Sequence, residues 1–253
     1  MVALRNKIYF ASDAHLGSDV FENPFSVEKR FVKWLESIKS DAKVLYLLGD
    51  VFDFWFEYKY VVPRGFTRFL GKIAEMSDMG IEVHFFIGNH DIWISDYLEK
   101  ETGVIIHKKP YIVEIDGKKF FLAHGDGLGD NSKSFKLIRY IFHNKLCQVL
   151  FASMHPRWGI GLAHAWSKSS RKKGLEKSAY FGEDKEHLVL FSKKYLEQDS
   201  EIDYFIFGHR HIMLDLMLTK KSRMLIIGDW IQYHSYAVFD GENLTLEQFE
   251  TSE

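Results

Sequence analysis

Five short motifs in this 253-residue chain combine acidic, amide and imidazole side chains, and nearly all of them follow an apolar run. In chain order they are Asp13-Ala14-His15, Gly49-Asp50, Gly88-Asn89-His90-Asp91, His124-Gly125-Asp126 and Gly208-His209-Arg210-His211. Side chains of these types are oxygen and nitrogen ligands for divalent cations. Seven such ligands hold two ions only if one ligand is shared, and Asp50 is the natural bridge. A two-ion centre of this kind suits hydrolysis at phosphorus.

The apolar runs before the motifs have the length and composition of short buried strands. They cover residues 8–10, 44–48, 83–87, 120–122 and 204–207. If these strands lie side by side in sheets, their ends meet. The pattern therefore predicts one composite metal centre built from Asp13, His15, Asp50, Asn89, His124, His209 and His211.

The ligand types narrow the choice of metal. The chain has one cysteine, Cys147, which excludes a thiolate zinc site. Mixed carboxylate, amide and imidazole ligands suit Mn²⁺, Fe²⁺, Zn²⁺ or Mg²⁺, and the high histidine share argues against Ca²⁺ and weakly against Mg²⁺. We expect two divalent ions and predict that both are Mn²⁺.

Strands and helices alternate through the first half of the chain, which favours an α/β fold. A helical period runs from Phe25 to Ile38, with Ser26 as its expected cap. Further helices are predicted over 65–79 and 92–102, each followed by glycine. A hairpin is predicted across Asp116-Gly117, and closing strands over 224–227, 235–239 and 244–249.

The order D-x-H, G-D, G-N-H-D, H-G-D, G-H-x-H over residues 13–211 resembles the calcineurin-like metallophosphoesterase superfamily. The resemblance implies an α/β fold, a sandwich of two mixed β-sheets flanked by helices. It implies one metal held by Asp13, His15, Asp50 and His211. It implies a second metal held by Asp50, Asn89, His124 and His209.

A narrower resemblance comes from the residues around the motifs. Gly49-Asp50-Val51-Phe52-Asp53-Phe54-Trp55 is similar to the G-D-x-F-[DE]-x-W stretch of bacterial UDP-2,3-diacylglucosamine diphosphatases, and Gly228-Asp229-Trp230 to their G-x-W. The chain departs from that family at His90, where the family has G-N-R-D. The resemblance implies cleavage of UDP-2,3-diacylglucosamine at its pyrophosphate, giving UMP and 2,3-diacylglucosamine 1-phosphate in lipid A biosynthesis.

His90 and Asp91 are the candidate catalytic residues. Beside the second metal, His90 can stabilise the transition state or protonate the leaving oxygen; the alternative is that it only orients the backbone turn. Asp53 and Asp91 can also serve as partners of metal-bound imidazoles, which usually donate their other N–H to a carboxylate or carbonyl.

Residues 131–182 differ from the rest of the chain. They hold ten Lys or Arg residues against one acid, Glu176, a net charge of +9 in a chain whose total is −2. Apolar residues recur every four positions at Ile138, Phe142, Leu146 and Leu150, which predicts an amphipathic helix. We predict a single domain over 1–253 in which this insert forms a helical cap above the metal site. The alternative is an ordinary solvated helical face.

A cap that is both basic and apolar suits an anionic glycolipid nucleotide or a membrane surface. Phe142 is expected in an acyl channel with Phe135, Ile138 and Leu146, while loose matches to the resembled family's cap suggest contacts to the nucleotide-sugar. The expected polar contacts are Asn89, Asp130, Ser167, Arg171 and His209.

Location and partners follow from composition. No apolar stretch reaches transmembrane length, and a single cysteine fits a reducing compartment. We expect a cytoplasmic enzyme, peripheral on the inner face of the cell inner membrane, without an obligate protein partner.

Three other functional classes would share some of these features. A nucleic-acid or nucleotide phosphodiesterase would also use a basic insert, but here the charge is confined to one segment rich in large aliphatic residues. A phosphoprotein phosphatase would not need so apolar a cap. A non-catalytic scaffold predicts missing ligands, and none of the seven is missing.

Overall fold

The computed structural model describes residues 5–18, 23–130, 137, 139–142, 144–163 and 179–250. The strands are β1 Lys7–Ala11, β2 Ala42–Leu47, β3 Glu82–Phe86, β4 Ile105–His107, β5 Tyr111–Ile115, β6 Lys118–Ala123, β7 Tyr204–Phe207, β8 Met213–Met217, β9 Arg223–Ile227, β10 Ser235–Phe239 and β11 Leu244–Gln248. The helices are α1 Pro24–Ile38, α2 Thr67–Asp78, α3 Tyr97–Thr102, α4 Lys145–Ala152 and α5 His187–Leu196.

The strands form two mixed sheets, with the orders β11-β10-β1-β2-β3-β4 and β5-β6-β7-β9-β8. One apolar layer lies between the sheets, a second under α1, α2 and α3, and a third under α5. Strands covered on both faces explain why the runs before the motifs are continuously apolar. The predicted two-sheet sandwich flanked by helices is confirmed.

Parallel pairing sets where the motifs meet. Strands β1, β2 and β3 are parallel neighbours in the first sheet, and β6, β7 and β9 are parallel neighbours in the second. The carboxyl ends of parallel neighbours lie at the same edge of a sheet. The five motif-bearing strands therefore deliver their loops to one edge of the sandwich.

An aromatic cluster fixes the turn after β9. Trp34 of α1 and Trp230 are both fully buried, with ring centroids 4.9 Å apart, and Phe31 packs on Trp230 at 4.7 Å. The Trp230 N–H donates to the carbonyl of Asp13 at 3.1 Å. Packing on α1 thus holds Asp229 next to the first motif.

Two helices begin at other residues than predicted. The α1 cap is Asn23 and not Ser26, since the Asn23 side chain accepts from the Phe25 N–H. The third helix begins at Tyr97 and not at residue 92, because Trp93 forms a bridge with Phe56 and the Glu57 carboxylate accepts the Asp96 and Tyr97 N–H groups.

The insert helix is interrupted. Asn144 has an extended backbone, and its side chain accepts from the Leu146 and Cys147 N–H groups, so a new helix, α4, begins at Lys145. The single helix predicted through Ile138, Phe142, Leu146 and Leu150 is therefore wrong as a continuous element. Phe135 and Ile138 lie outside the described residues.

Helix α2 takes its N-terminal cap from another helix. Phe66 precedes it in a left-handed conformation and provides no side-chain cap, while buried Glu28 of α1 accepts from the Arg68 and Phe69 N–H groups at 3.1 and 3.3 Å. The Glu28 carboxylate also suits the positive end of the helix dipole.

Replacing Glu28 should therefore destabilise the fold. Glu28→Ala is expected to lower the free energy of unfolding by about 1–2 kcal/mol, the upper part of the range for a lost helix cap. Urea denaturation measures the change. Glu36→Ala, which removes an exposed carboxylate from the same helix, is the matched control and should cost no more than about 0.5 kcal/mol. Equal losses in the two variants would contradict the capping role.

Candidate metal centre

The residues that face the centre stand on unusual backbone. Among the described non-glycine residues, eight have positive φ, and five of these are predicted ligands: Asp13 at 54°, His15 at 43°, Asp50 at 50°, His209 at 67° and His211 at 50°. Left-handed conformations are uncommon for non-glycine residues and persist where the surroundings force them. The strand ends therefore curl inward and bring these side chains together.

Two glycines make room for the carboxylates. A Cβ on Gly88 would lie 2.1 Å from Asp50 Oδ1, and one on Gly208 would lie 2.4 Å from Asp13 Oδ2. These distances are far below contact, so no side chain fits at either place. Each glycine lets a strand end from a neighbouring motif approach a buried carboxylate closely.

One group of candidate ligands consists of Asp13, His15 and His211, whose ligand atoms lie within 4.8 Å of one another. Asp13 Oδ1 is 3.7 Å from His15 Nε2 and 3.4 Å from His211 Nε2. The other Asp13 oxygen accepts from the His209 N–H at 2.8 Å. One oxygen is thus occupied by the backbone and the other faces the imidazoles.

A second group consists of Asp50, His124 and His209, again within 4.8 Å. Asp50 Oδ2 is 3.3 Å from His124 Nε2, and Asn89 Oδ1 is 3.3 Å from the same nitrogen. Asp50 Oδ2 is also 3.9 Å from His15 Nε2 of the first group. Asp50 therefore lies between the two groups, as a bridging ligand would.

The other ring nitrogens of three candidate ligands face oxygen atoms. His15 Nδ1 is 3.5 Å from Asp53 Oδ1, His124 Nδ1 is 2.8 Å from the Leu48 carbonyl, and His211 Nδ1 is 3.0 Å from Asp229 Oδ2. Outer partners of this kind orient metal-binding imidazoles. They turn each Nε2 toward the carboxylates.

Asp229 was not predicted as a site residue. One of its oxygens accepts three backbone N–H groups, from Ile231, Gln232 and Tyr233, while the other faces His211. The sequence signal was present, because Gly228-Asp229 follows a strand just as Gly49-Asp50 does. Asp53 matches its expected role beside an imidazole.

The electrostatics of the buried groups favour a bound cation. Burial opposes charge on His15, yet the carboxylates of Asp13, Asp53 and Asp50 outweigh it and raise the His15 pKa to about 10. Burial likewise opposes charge on Asp13, but His211 and His15 hold its pKa at about 2. Within the described residues, Asp13 Oδ1 and both His15 nitrogens are buried without a hydrogen-bond partner. These donor atoms, in a negative field, fit divalent metal ions.

The two candidate catalytic residues are placed differently. His90 is buried, its Nδ1 donates to the Asp53 carbonyl at 2.9 Å, and its ring lies edge-on to that of His15 at 4.7 Å. Asp91 is fully buried, and its oxygens accept the N–H groups of Gly88 and Val51 at 2.6 and 2.9 Å. Asp91 thus holds two loops together, and this geometry gives no support to the direct catalytic role expected for it.

An apolar pocket of about 320 Å³ adjoins the centre. Asn89 and His90 form one wall; Phe142, Cys147 and Phe151 of the insert form another, and Phe54 and Trp93 also line it. Trp93 Nε1 donates to the Phe142 carbonyl at 2.9 Å, which ties the insert to the loop that carries His90. The apolar space expected beside Phe142 therefore exists.

The structure describes only some of the remaining predicted substrate contacts. Leu146 was expected in the acyl channel, but it is 67% exposed and does not line the pocket, because the break at Asn144 rotates α4 relative to Phe142. Asp130 is half-buried and interacts electrostatically with His187. Ser167 and Arg171 lie outside the described residues.

Comparison with known proteins identifies the class. A family described as Calcineurin-like phosphoesterase matches residues 6–213, and the chain belongs to this family. Members use divalent metal ions, and the Asp and His groups above are able to hold them.

Individual relatives narrow the comparison. A UDP-2,3-diacylglucosamine hydrolase from Porphyromonas gingivalis is 49% identical, over 99% of this chain and 100% of its own length. A protein of the same name from Haemophilus influenzae is 28% identical, over 88% of this chain and 90% of its own. Among solved structures, the phosphoesterase Yfce from E. coli aligns with a TM-score of 0.46 at 15% identity, covering 96% and 92% of the two chains.

The position of Asp50 leads to a mutational test. Asp50→Ala should abolish hydrolysis of bis(p-nitrophenyl) phosphate and lower the bound metal measured by elemental analysis, because one side chain lies between both groups. His15→Ala should lose less of both, since Asp13, Asp50 and His211 remain. Thermal unfolding checks that each variant is folded. If Asp50→Ala kept most of its activity in excess Mn²⁺, the two-metal arrangement would be excluded.

Proposed function

We propose that this protein is a metal-dependent hydrolase that cleaves the pyrophosphate of UDP-2,3-diacylglucosamine, giving UMP and 2,3-diacylglucosamine 1-phosphate in lipid A biosynthesis. The observation that carries the proposal is the apolar pocket that opens beside Asn89 and His90. Hydrolysis of a simple phosphodiester requires the metal centre but no apolar pocket beside it. Acyl chains of a lipid substrate would fill such a pocket. The near-full-length similarity to the Porphyromonas gingivalis hydrolase supports the same substrate.

The proposed metal assignment follows the two groups of donor atoms. Asp13, His15, Asp50 and His211 would hold one ion, and Asp50, Asn89, His124 and His209 the other, with Mn²⁺ as the proposed metal. Bound there, the ions would neutralise phosphate charge and supply hydroxide near neutral pH for attack on phosphorus.

The chain's own residues do the rest. Backbone N–H groups of His90 and His209 each donate to a buried carboxylate at 2.8 Å, which fixes Asp50 and Asp13 before substrate arrives. Asn89 contributes a neutral oxygen, so the centre keeps more positive charge for an anionic substrate. The His90 Nδ1–H is held by the Asp53 carbonyl, so Nε2 is the nitrogen that can act on the leaving oxygen, and it can donate a proton there only when the ring is the imidazolium.

The insert is proposed as the acyl-binding cap. Phe151, Ile160 and Ala163 pack with Phe54, Phe56 and Trp93, which lie next to the His90 loop. Each buried acyl methylene contributes roughly 0.8 kcal/mol. A few methylenes in this pocket would favour an acylated sugar over an unacylated one by orders of magnitude in kcat/KM. Asp130, Ser167, Arg171 and His209 remain the proposed contacts to the nucleotide-sugar.

We also propose peripheral binding at the cytoplasmic face of the inner membrane. Over the described residues of 137–163, eight large apolar side chains are at least 41% exposed. The exposed cations Arg139, Lys145 and Arg157 lie between them in the sequence. Apolar anchors mixed with cations suit the surface of an anionic bilayer. The exposed anchors are Leu137, Tyr140, Ile141, Leu146, Val149, Leu150, Trp158 and Leu162. No helix within the described residues is long and apolar enough to cross a membrane.

The role of His90 is open to a kinetic test. His90→Ala should lower kcat by about 10²–10⁴-fold while metal content stays near that of the wild type, because His90 acts on the transition state. His90→Arg should restore part of the loss, since a guanidinium also supplies positive charge. Parallel loss of metal and activity in His90→Ala would assign the residue to holding the loop.

The apolar pocket is tested by matched substitutions in the insert. Phe142→Asp should lower kcat/KM for detergent-dispersed UDP-2,3-diacylglucosamine at least ten-fold, because a charge in the apolar pocket penalises acyl binding. Hydrolysis of bis(p-nitrophenyl) phosphate should fall much less, because the candidate metal ligands are unchanged. Leu146→Asp, exposed nearby, should change turnover far less and instead weaken binding to anionic vesicles.

The lone thiol offers an independent check of the same pocket. Cys147 lines it, and it is the only cysteine in the chain. Alkylation with a bulky maleimide should block the acylated substrate and spare the small phosphodiester, and Cys147→Ser should be insensitive. Equal rates on UDP-2,3-diacylglucosamine and UDP-N-acetylglucosamine would contradict the lipid assignment and leave the phosphoesterase class intact.

A further inference from the structure

A second opening reaches the candidate metal centre at His124. It is a narrow cleft of about 50 Å³ between the loop after β4, the turn after β6 and the side chain of Arg139. None of the residues that line it also lines the apolar pocket. The centre is therefore approached by two separate spaces of different chemistry.

The second cleft, hereafter the lysine cleft, is cationic at its mouth. Lys108, Lys109 and Arg139 line it, and Asp126 is the one carboxylate among its lining residues. Arg139 donates to the Asp126 carbonyl at 3.1 Å, and its Nη1 lies 3.6 Å from Asp126 Oδ2. Arg139 thus compensates the acid, and the two lysines leave a net positive charge.

The two approaches match the two halves of the proposed substrate. A nucleotide linked through a pyrophosphate to an acylated sugar has one apolar end and one anionic, polar end. The apolar pocket has almost no polar lining apart from Asn89 and His90, so it suits the acylated sugar. The nucleotide half must then extend from the centre in another direction. The lysine cleft lies in such a direction, and its positive charge suits an anion.

We propose that the lysine cleft binds the phosphate of a nucleoside 5′-monophosphate, the nucleotide half of the substrate and one of the two products. This inference rests on the proposed function. A space of 50 Å³ holds a few water molecules or one small oxyanion, so the ribose and base would lie outside it, over the loop that carries Lys108 and Lys109. Lys108 and Lys109 set the affinity for this half, while Phe142 and its neighbours set the affinity for the other.

The test measures product binding instead of turnover of the lipid. Inhibition of bis(p-nitrophenyl) phosphate hydrolysis by UMP is measured on the Mn²⁺-loaded protein, and UMP binding is measured directly by titration calorimetry. Lys108→Ala/Lys109→Ala should weaken both about ten-fold, the loss expected for two partly exposed charge contacts. Lys108→Arg/Lys109→Arg should restore most of the binding, because the charge is kept.

A tandem lysine pair elsewhere provides the control. Lys220 and Lys221 are exposed in the turn between β8 and β9, and Lys220→Ala/Lys221→Ala removes the same charge. This control should change UMP affinity less than two-fold. Unchanged UMP affinity in Lys108→Ala/Lys109→Ala would overturn the proposal. So would an equal loss in the control pair.

Failure of the cleft and failure of the proposed function give different results. If the wild type does not hydrolyse UDP-2,3-diacylglucosamine, the proposed function fails, and a UMP affinity that still depends on Lys108 and Lys109 keeps the cleft as a nucleotide-phosphate site. If the lipid is hydrolysed and UMP affinity does not depend on these lysines, only the proposed role of the lysine cleft is contradicted.

Discussion

The structure depends on placing like charges close together away from water. Asp13, Asp50 and Asp53 are at most 2% exposed and surround the same histidines. Buried carboxylates are costly unless they are paired and hydrogen-bonded. The surrounding features serve this requirement: glycines at the contact points, backbone N–H groups aimed at carboxylate oxygens, and imidazoles facing the remaining oxygens.

The two-sheet sandwich is what makes such a cluster possible. The ends of parallel strands from both sheets meet at one edge, and each strand end leads into a loop that carries candidate ligands. Left-handed backbone at five candidate ligands shows how sharply these loops turn. Such backbone conformations cost of order 1–3 kcal/mol per residue and persist because the packed layers beneath the loops hold the backbone in place.

The insert meets the catalytic face through aromatic packing and one long-range hydrogen bond. Trp93 contacts the rings of Phe54, Phe56, Phe142 and Phe151, and also donates to the Phe142 carbonyl. The loop that positions His90 therefore also positions the apolar wall. Under the proposed function, Trp93 would therefore link acyl-chain selection to the chemistry at phosphorus.

The candidate ligands were predictable because each follows a strand, and a strand's end is a local property of sequence. The buried runs and the hairpin at Asp116-Gly117 followed from the same patterns. The two-sheet class came instead from the family resemblance. Asp229 was missed although Gly228-Asp229 follows a strand as Gly49-Asp50 does, because its role depends on its contact with His211, which the local sequence does not show. The caps provided by Glu28 and Glu57 also depend on contacts that a window of sequence does not contain. The break at Asn144 is a local cap that the continuous apolar period concealed.

The contacts of Asp13 with distant parts of the chain constrain the order in which the structure assembles. Asp13 accepts from the backbone of His209, 196 residues further along, and its carbonyl accepts from Trp230. Contacts of such high sequence separation form slowly, and they are impossible until that part of the chain has been made. During synthesis, the Asp13 carboxylate therefore lacks these contacts until the segment through Trp230 has emerged. The candidate metal centre can close only then, so the ability to hold both ions arises late in folding.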